Sequence, residues 1–137
     1  MPGRGALPLS ARLRRDARCL AALAAMRIAL TCSGYAAICK RMPQADASPN
    51  AHYYARQLAK RIERLAQFVP GASCLTQALA LQYLLARAGH ACELRVGVRR
   101  DDAGRFLAHA WVSCNDRIVL GAATTRLSDF TPLAERR

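Results

Sequence analysis

Acidic side chains are scarce: nine Asp and Glu stand against 21 Lys and Arg in 137 residues, for a formal net charge of +12. Lys40 and Lys60 apart, the excess is Arg, whose planar fork suits carboxylates and phosphates. The charge is uneven, about +9 before Cys74 and about +3 from there on. A surface of that kind fits an acidic peptide, an acidic protein face, nucleic acid or an anionic membrane. Aromatics are also few, at 6%. The basic half lacks aromatics interleaved with its charges, which argues against nucleic-acid binding. The core must then be built from Ala, Leu and Val, a composition suited to close helix packing.

No CxxC pair and no Cys/His cluster with metal-ligand spacing occurs, so a zinc site is not expected, and no cofactor is implied. The six cysteines, Cys19, Cys32, Cys39, Cys74, Cys92 and Cys114, follow no compact spacing pattern. They read as thiols of a reducing cytoplasm, not as a disulfide framework. Long apolar runs are missing too. Arg12, Arg14, Arg15 and Arg18 precede an apolar stretch from Cys19 to Met26, but Arg27 interrupts it. A central Arg costs on the order of 3 kcal/mol in a bilayer, so neither a membrane span nor a cleaved signal is expected.

The length fits one domain. Residues 1–10, with two Gly and two Pro, read as a flexible tail, and 11–73 as a basic helical part. Its first helix covers 11–39, weakened around 31–34 by Thr31, Ser33 and Gly34. A loop at 42–50 follows, then a helix over 51–68 with Tyr54, Leu58, Ile62, Leu65 and Phe68 as its apolar stripe. Pro70 and Gly71 stop it. Ser73 is placed to cap a largely apolar helix over 74–88, ended by Gly89. The period then changes to two: Cys92, Leu94, Val96 and Val98 alternate with polar residues or Gly97, as in a strand covered on one face. A second strand covers 106–113, and Asn115-Asp116 makes a tight hairpin into a third at 118–121. The fold class is therefore α+β, with N-terminal helices packed on a small antiparallel sheet.

Cys74 stands at a helix start, where unpaired backbone N–H groups and the positive dipole end favour a thiolate and could hold an oxyanion. His109 lies on the second strand, with Leu107, Trp111 and Ser113 on its face. An imidazole within reach of the thiol would take its proton and later protonate a leaving amine. Trp111 is placed to shield such a pair from water. His52 and His90 occupy positions with ordinary structural uses.

The runs CLTQALAL (74–81), LLARAGH (84–90), LRVGV (94–98) and AHAWV (108–112) together closely resemble the lasso-peptide B proteins, leader peptidases of the transglutaminase-like superfamily that process microcin-type precursors. The resemblance implies a papain-like or transglutaminase-like catalytic core over 74–137 and a Cys-His-Asp triad that removes the leader from a ribosomally made precursor. It also implies a separate leader-recognition protein and an ATP-dependent lasso cyclase as partners, with this chain as the stand-alone peptidase form.

The family's Asp is expected on the strand after the hairpin, where it would hold the imidazole tautomer. Pairing Cys114 with Arg117 makes Val112 face Val119 and puts Ala122, beside Gly121, opposite His109. Asp116 is seven residues from His109, roughly 23 Å along a strand. Asp129, Thr124, Thr125 or a backbone carbonyl are the alternative orienters. The missing Asp also admits a second reading, a non-catalytic module that binds the precursor and delivers it to the cyclase.

Overall fold

The structure, a computed structural model, describes residues 8–46, 51–121 and 131–136. The expected first helix is two: α1 (Leu9–Cys32) and α2 (Gly34–Arg41), separated at Ser33. The residues with weak helical preference therefore mark a real break. α3 (Ala51–Ala66) and α4 (Cys74–Arg87) follow, and then the strands β1 (Glu93–Arg100), β2 (Phe106–Cys114), β3 (Arg117–Leu120) and β4 (Thr131–Arg136). Part of the expected tail, residues 1–7, lies outside the described residues.

The strands form one antiparallel sheet in the order β3-β2-β1-β4. β1 and β2 pair without interruption from Glu93↔Ser113 to Arg100↔Phe106. Asn115 and Asp116, both in the left-handed region at φ 50° and 64°, make the two-residue turn of the hairpin. Cys114 pairs with Arg117 as expected, but the next step differs. Ser113 faces Ile118 and Val112 faces Leu120, so Val119 is the extra residue of a bulge. The expected Val112–Val119 pairing is thereby overturned, and the register that put Ala122 opposite His109 goes with it; Ala122 itself lies outside the described residues. β4 adds a strand that the periodicity does not announce. It runs along the free edge of β1, where Pro132, opposite Gly97, can be tolerated because an edge strand has one side without ladder bonds.

α4 packs against β2 and β1 and α3 against β3, while α1 lies on α4 and α3. The core is rich in Ala and Leu: Leu23, Ile62, Leu79, Leu81, Leu85, Leu94 and Val112 are fully buried. On α3 the buried stripe is not the expected one. Ala51, Ala55, Ala59, Ile62, Leu65 and Ala66 face inward, while Tyr54 and Phe68 are exposed. Alanines let α3 approach its neighbours closely, and the bulkier stripe would hold it off; Ile62 and Leu65 belong to both. Asp16 on α1 ties the outer side of α3 through Arg61 at 2.5 Å and Arg64 at 3.0 Å. Among the described residues, no helix is long and apolar enough to cross a membrane.

Cys19 is fully buried on α1, and burial pushes its thiol above the ordinary range, against the opposing pull of Arg61. A thiol raised on folding contributes stability that is complete below its unfolded pKa, about 8.5, and that is lost as pH rises past it. The expected slope is about 1.4 kcal/mol per pH unit until the folded pKa is reached. Urea midpoints measured at neutral pH and near pH 10 should therefore fall further for the native chain than for Cys19→Ala. Equal falls would show that Cys19 is not protected by the fold.

Candidate active site

The site begins with a helix cap. Ser73, in extended conformation, accepts a hydrogen bond from the Thr76 amide at 3.3 Å, and its hydroxyl lies 3.2 Å from that of Thr76. A cap of this kind stabilises a helix by about 1 kcal/mol. It also makes Cys74 the first helical residue. The amides of Cys74 and Leu75 are among the four that helix geometry leaves without an intrahelical acceptor, so they are the donors nearest the thiol. The Gln77 side chain donates to the Ala72 carbonyl at 3.4 Å across the same turn. Cys74 is half-buried, its side chain packed against the core.

The lengths of the elements set the level of the thiol against the sheet. α4 has 14 residues, which at a rise of about 1.5 Å per residue equals roughly six residues of strand. The chain turns directly from the end of α4 into Glu93, which pairs with Ser113. A helix aligned with the strands from there would start at about the level of Leu107.

His109 is half-buried on β2, opposite Gly97 of β1. Its Nε2 lies 2.5 Å from the carbonyl oxygen of Gly121. A carbonyl only accepts, so Nε2 carries the proton of the neutral ring and the lone pair sits on Nδ1. The Gly121 carbonyl is thus a hydrogen-bond partner of the ring. Trp111, buried to 6% exposure, stacks on the ring at a centroid distance of 6.2 Å.

The residues of β2 that join the buried side chains of α4 are Ala110, Val112 and Cys114. Strand alternation turns His109, Trp111 and Ser113 to the opposite face. Among the described residues, no hydrogen bond joins the Cys74 thiol to His109. Leu120, the last residue of β3, stands opposite Val112, and His109 meets the chain at Gly121 just beyond it.

Gly121 is the site residue whose part the sequence reading undervalued. Its φ is +95°, and a Cβ there would stand 2.8 Å from the Ala110 carbonyl oxygen and 2.9 Å from the Cβ of Trp111. Only glycine brings its carbonyl to the ring without displacing β2. Asp129, Thr124 and Thr125 lie outside the described residues.

Two of the other cysteines have environments that keep the thiol protonated. Cys92 is held protonated by its hydrogen bond to Cys114 and by burial, and Cys19 by burial. Neither has the character of a nucleophile. The described residues contain no group of His, Cys, Asp and Glu able to hold a metal ion.

The family model of the transglutaminase-like superfamily aligns with residues 20–135. No curated protein and no solved structure matches the chain. The aligned span takes in most of α1, the capped start of α4, the β2 strand and all but the last residue of β4. A superfamily match of that extent, on an α+β chain with an antiparallel sheet, places this protein in the transglutaminase-like superfamily.

Proposed function

We propose that the chain is a cysteine peptidase that removes the leader from a ribosomally made lasso-peptide precursor. The observation that carries this reading is Cys74 as the first residue of the Ser73-capped α4, in a superfamily that includes cysteine peptidases. The CLTQALAL and AHAWV segments support the narrower assignment to leader removal.

In this reading Nδ1 of His109 takes the Cys74 proton, and the sulfur attacks the carbonyl carbon at the end of the leader. The Cys74 and Leu75 amides hold the oxyanion. The imidazolium then protonates the leaving amine of the core peptide, which leaves a thioester on Cys74. Water gives its proton to Nδ1 and attacks the thioester, releasing the leader as a carboxylic acid and restoring the thiol. The Gly121 carbonyl keeps the ring in the required tautomer, and Asp129 is the side-chain alternative for that task. The ring lies on the face of β2 turned away from α4, so the reaction requires precursor binding to rearrange β2 and bring ring and thiol together. A separate leader-recognition protein presents the precursor, the ATP-dependent cyclase takes up the core, and the compartment is the cytoplasm.

Mass spectrometry of a precursor incubated with this chain and the recognition protein is the test. Leader and core should appear as two products that sum to the precursor plus one water. Intact precursor that co-purifies with the chain would instead support the delivery module.

A further inference from the structure

Between α1, α2 and the second half of α4 lies an open groove of about 530 Å³. Ala22, Ala25 and Ala29 of α1 form its floor, and Ile38, Tyr83 and Leu84 its walls. Three guanidinium groups, Arg18, Arg41 and Arg87, stand at the rim, all exposed, and no carboxylate lines the groove. The ion pairs of Asp16 with Arg61 and Arg64, Glu93 with Arg95 and Asp101 with Arg105 lie elsewhere. The groove is apart from Cys74, which starts α4 three turns before Leu84 and Arg87.

We infer that this groove binds an amphipathic, acidic helix of a partner protein or peptide. Two observations select that occupant. The alanine floor recurs at three- and four-residue spacing along α1, which lets a second helix backbone approach closely and lay an apolar stripe along it. The three exposed rim Arg side chains make the groove complementary to carboxylates, which Arg pairs with in planar, bidentate geometry. A second copy of this chain is a poor occupant, since each copy brings a net charge of +12. The undescribed residues of the chain contain a single acid, Asp129, and so offer no acidic helix either. The inference does not depend on catalysis.

Fluorescence anisotropy with the full chain tests it, using a labelled amphipathic peptide of about 18 residues, long enough to span the groove, with Leu and Ala on one face and Glu on the other. The peptide should bind, and binding should weaken with salt. Arg18→Glu/Arg41→Glu/Arg87→Glu should weaken it by about tenfold or more. Arg56→Glu/Lys60→Glu/Arg117→Glu, with the same change in net charge on exposed positions outside the groove, should weaken it far less. Ala25→Trp, which fills the floor from an exposed position, should also reduce binding and leaves the rim charges in place. A scrambled peptide of identical composition binding as tightly, or the two triple variants losing affinity equally, would overturn the inference and leave only non-specific charge attraction. Tighter binding of anionic vesicles that the Ala25→Trp substitution does not affect would overturn it in favour of a membrane surface. Sedimentation showing a dimer that this substitution dissociates would overturn it in favour of self-association.

Discussion

Cys74→Ala should abolish leader release, lowering the single-turnover rate by on the order of 10⁵-fold, while the chain still binds its precursor. The size follows from what the substitution removes. Covalent catalysis divides one hard step into two easier ones, and without the sulfur there is no acyl intermediate to divide it. Other groups that act as a unit with the nucleophile contribute little once it is gone. The substitution itself is mild for the fold. Cys74 is half-buried at the first helical position, and the Ser73 cap, which fixes the helix start, is untouched. An unchanged urea midpoint would therefore accompany the loss. His109→Ala should reproduce most of the defect, since the thiol then has no base. If Cys74→Ala cleaves like the native chain, the nucleophile lies elsewhere or the chain does not cut. If neither variant nor native chain cleaves and all three bind precursor equally, the protein is a delivery module.

What could be read from the chain in advance divides along a physical line. Features set by a few adjacent residues were legible. Ser73 and Gly89 bracket α4, Asn115-Asp116 turn the hairpin, and Thr31 to Gly34 mark the break between α1 and α2. Features decided by distant partners were not. Val119 is bulged out of the β2–β3 ladder although its neighbours alternate normally, and the bulge lets Val119 and Leu120 both be buried while Leu120 pairs with Val112. The buried stripe of α3 turned toward its alanines because what matters there is how closely α1 and α4 approach, and a helical pattern weighted by side-chain size points instead to Tyr54 and Phe68. β4 has no alternation of its own and is defined by the edge of β1 that it meets.

The site divides in the same way. Cys74 was legible as a helix start, and His109 as a strand residue flanked by Trp111. Their relation was not, because the face of β2 that meets α4 depends on which of two alternating sets fits the helices. The set chosen was Ala110, Val112 and Cys114, small enough to lie under α4, and Trp111 took the other side with His109. The ring's backbone partner was the least legible part. A side-chain partner leaves a residue type at a position; a carbonyl partner leaves only a glycine, whose meaning depends on a close approach that no local pattern reveals.

That close approach makes Gly121→Ala the second large effect, expected to destabilise the fold by about 3 kcal/mol. Two costs add. An alanine held at φ +95° is strained by roughly 1–2 kcal/mol. Its Cβ would also press on the Ala110 carbonyl oxygen at 2.8 Å and the Trp111 Cα at 3.0 Å, both backbone atoms of β2 that cannot turn aside as a flexible side chain could. Gly104, in the β1–β2 turn, separates the two costs. Its φ is +81°, yet nothing stands within 4 Å of a Cβ built there, so Gly104→Ala should carry the strain alone, about 1 kcal/mol. Urea unfolding of the two variants measures the difference, and equal midpoints would remove the contact between Gly121 and β2 from the account. The backbone shift that relieves the clash must also carry the Gly121 carbonyl away from Nε2 of His109. Leader release by Gly121→Ala should therefore fall more than the folded fraction of the variant explains, whereas Gly104→Ala should lose activity only in proportion to its folded fraction.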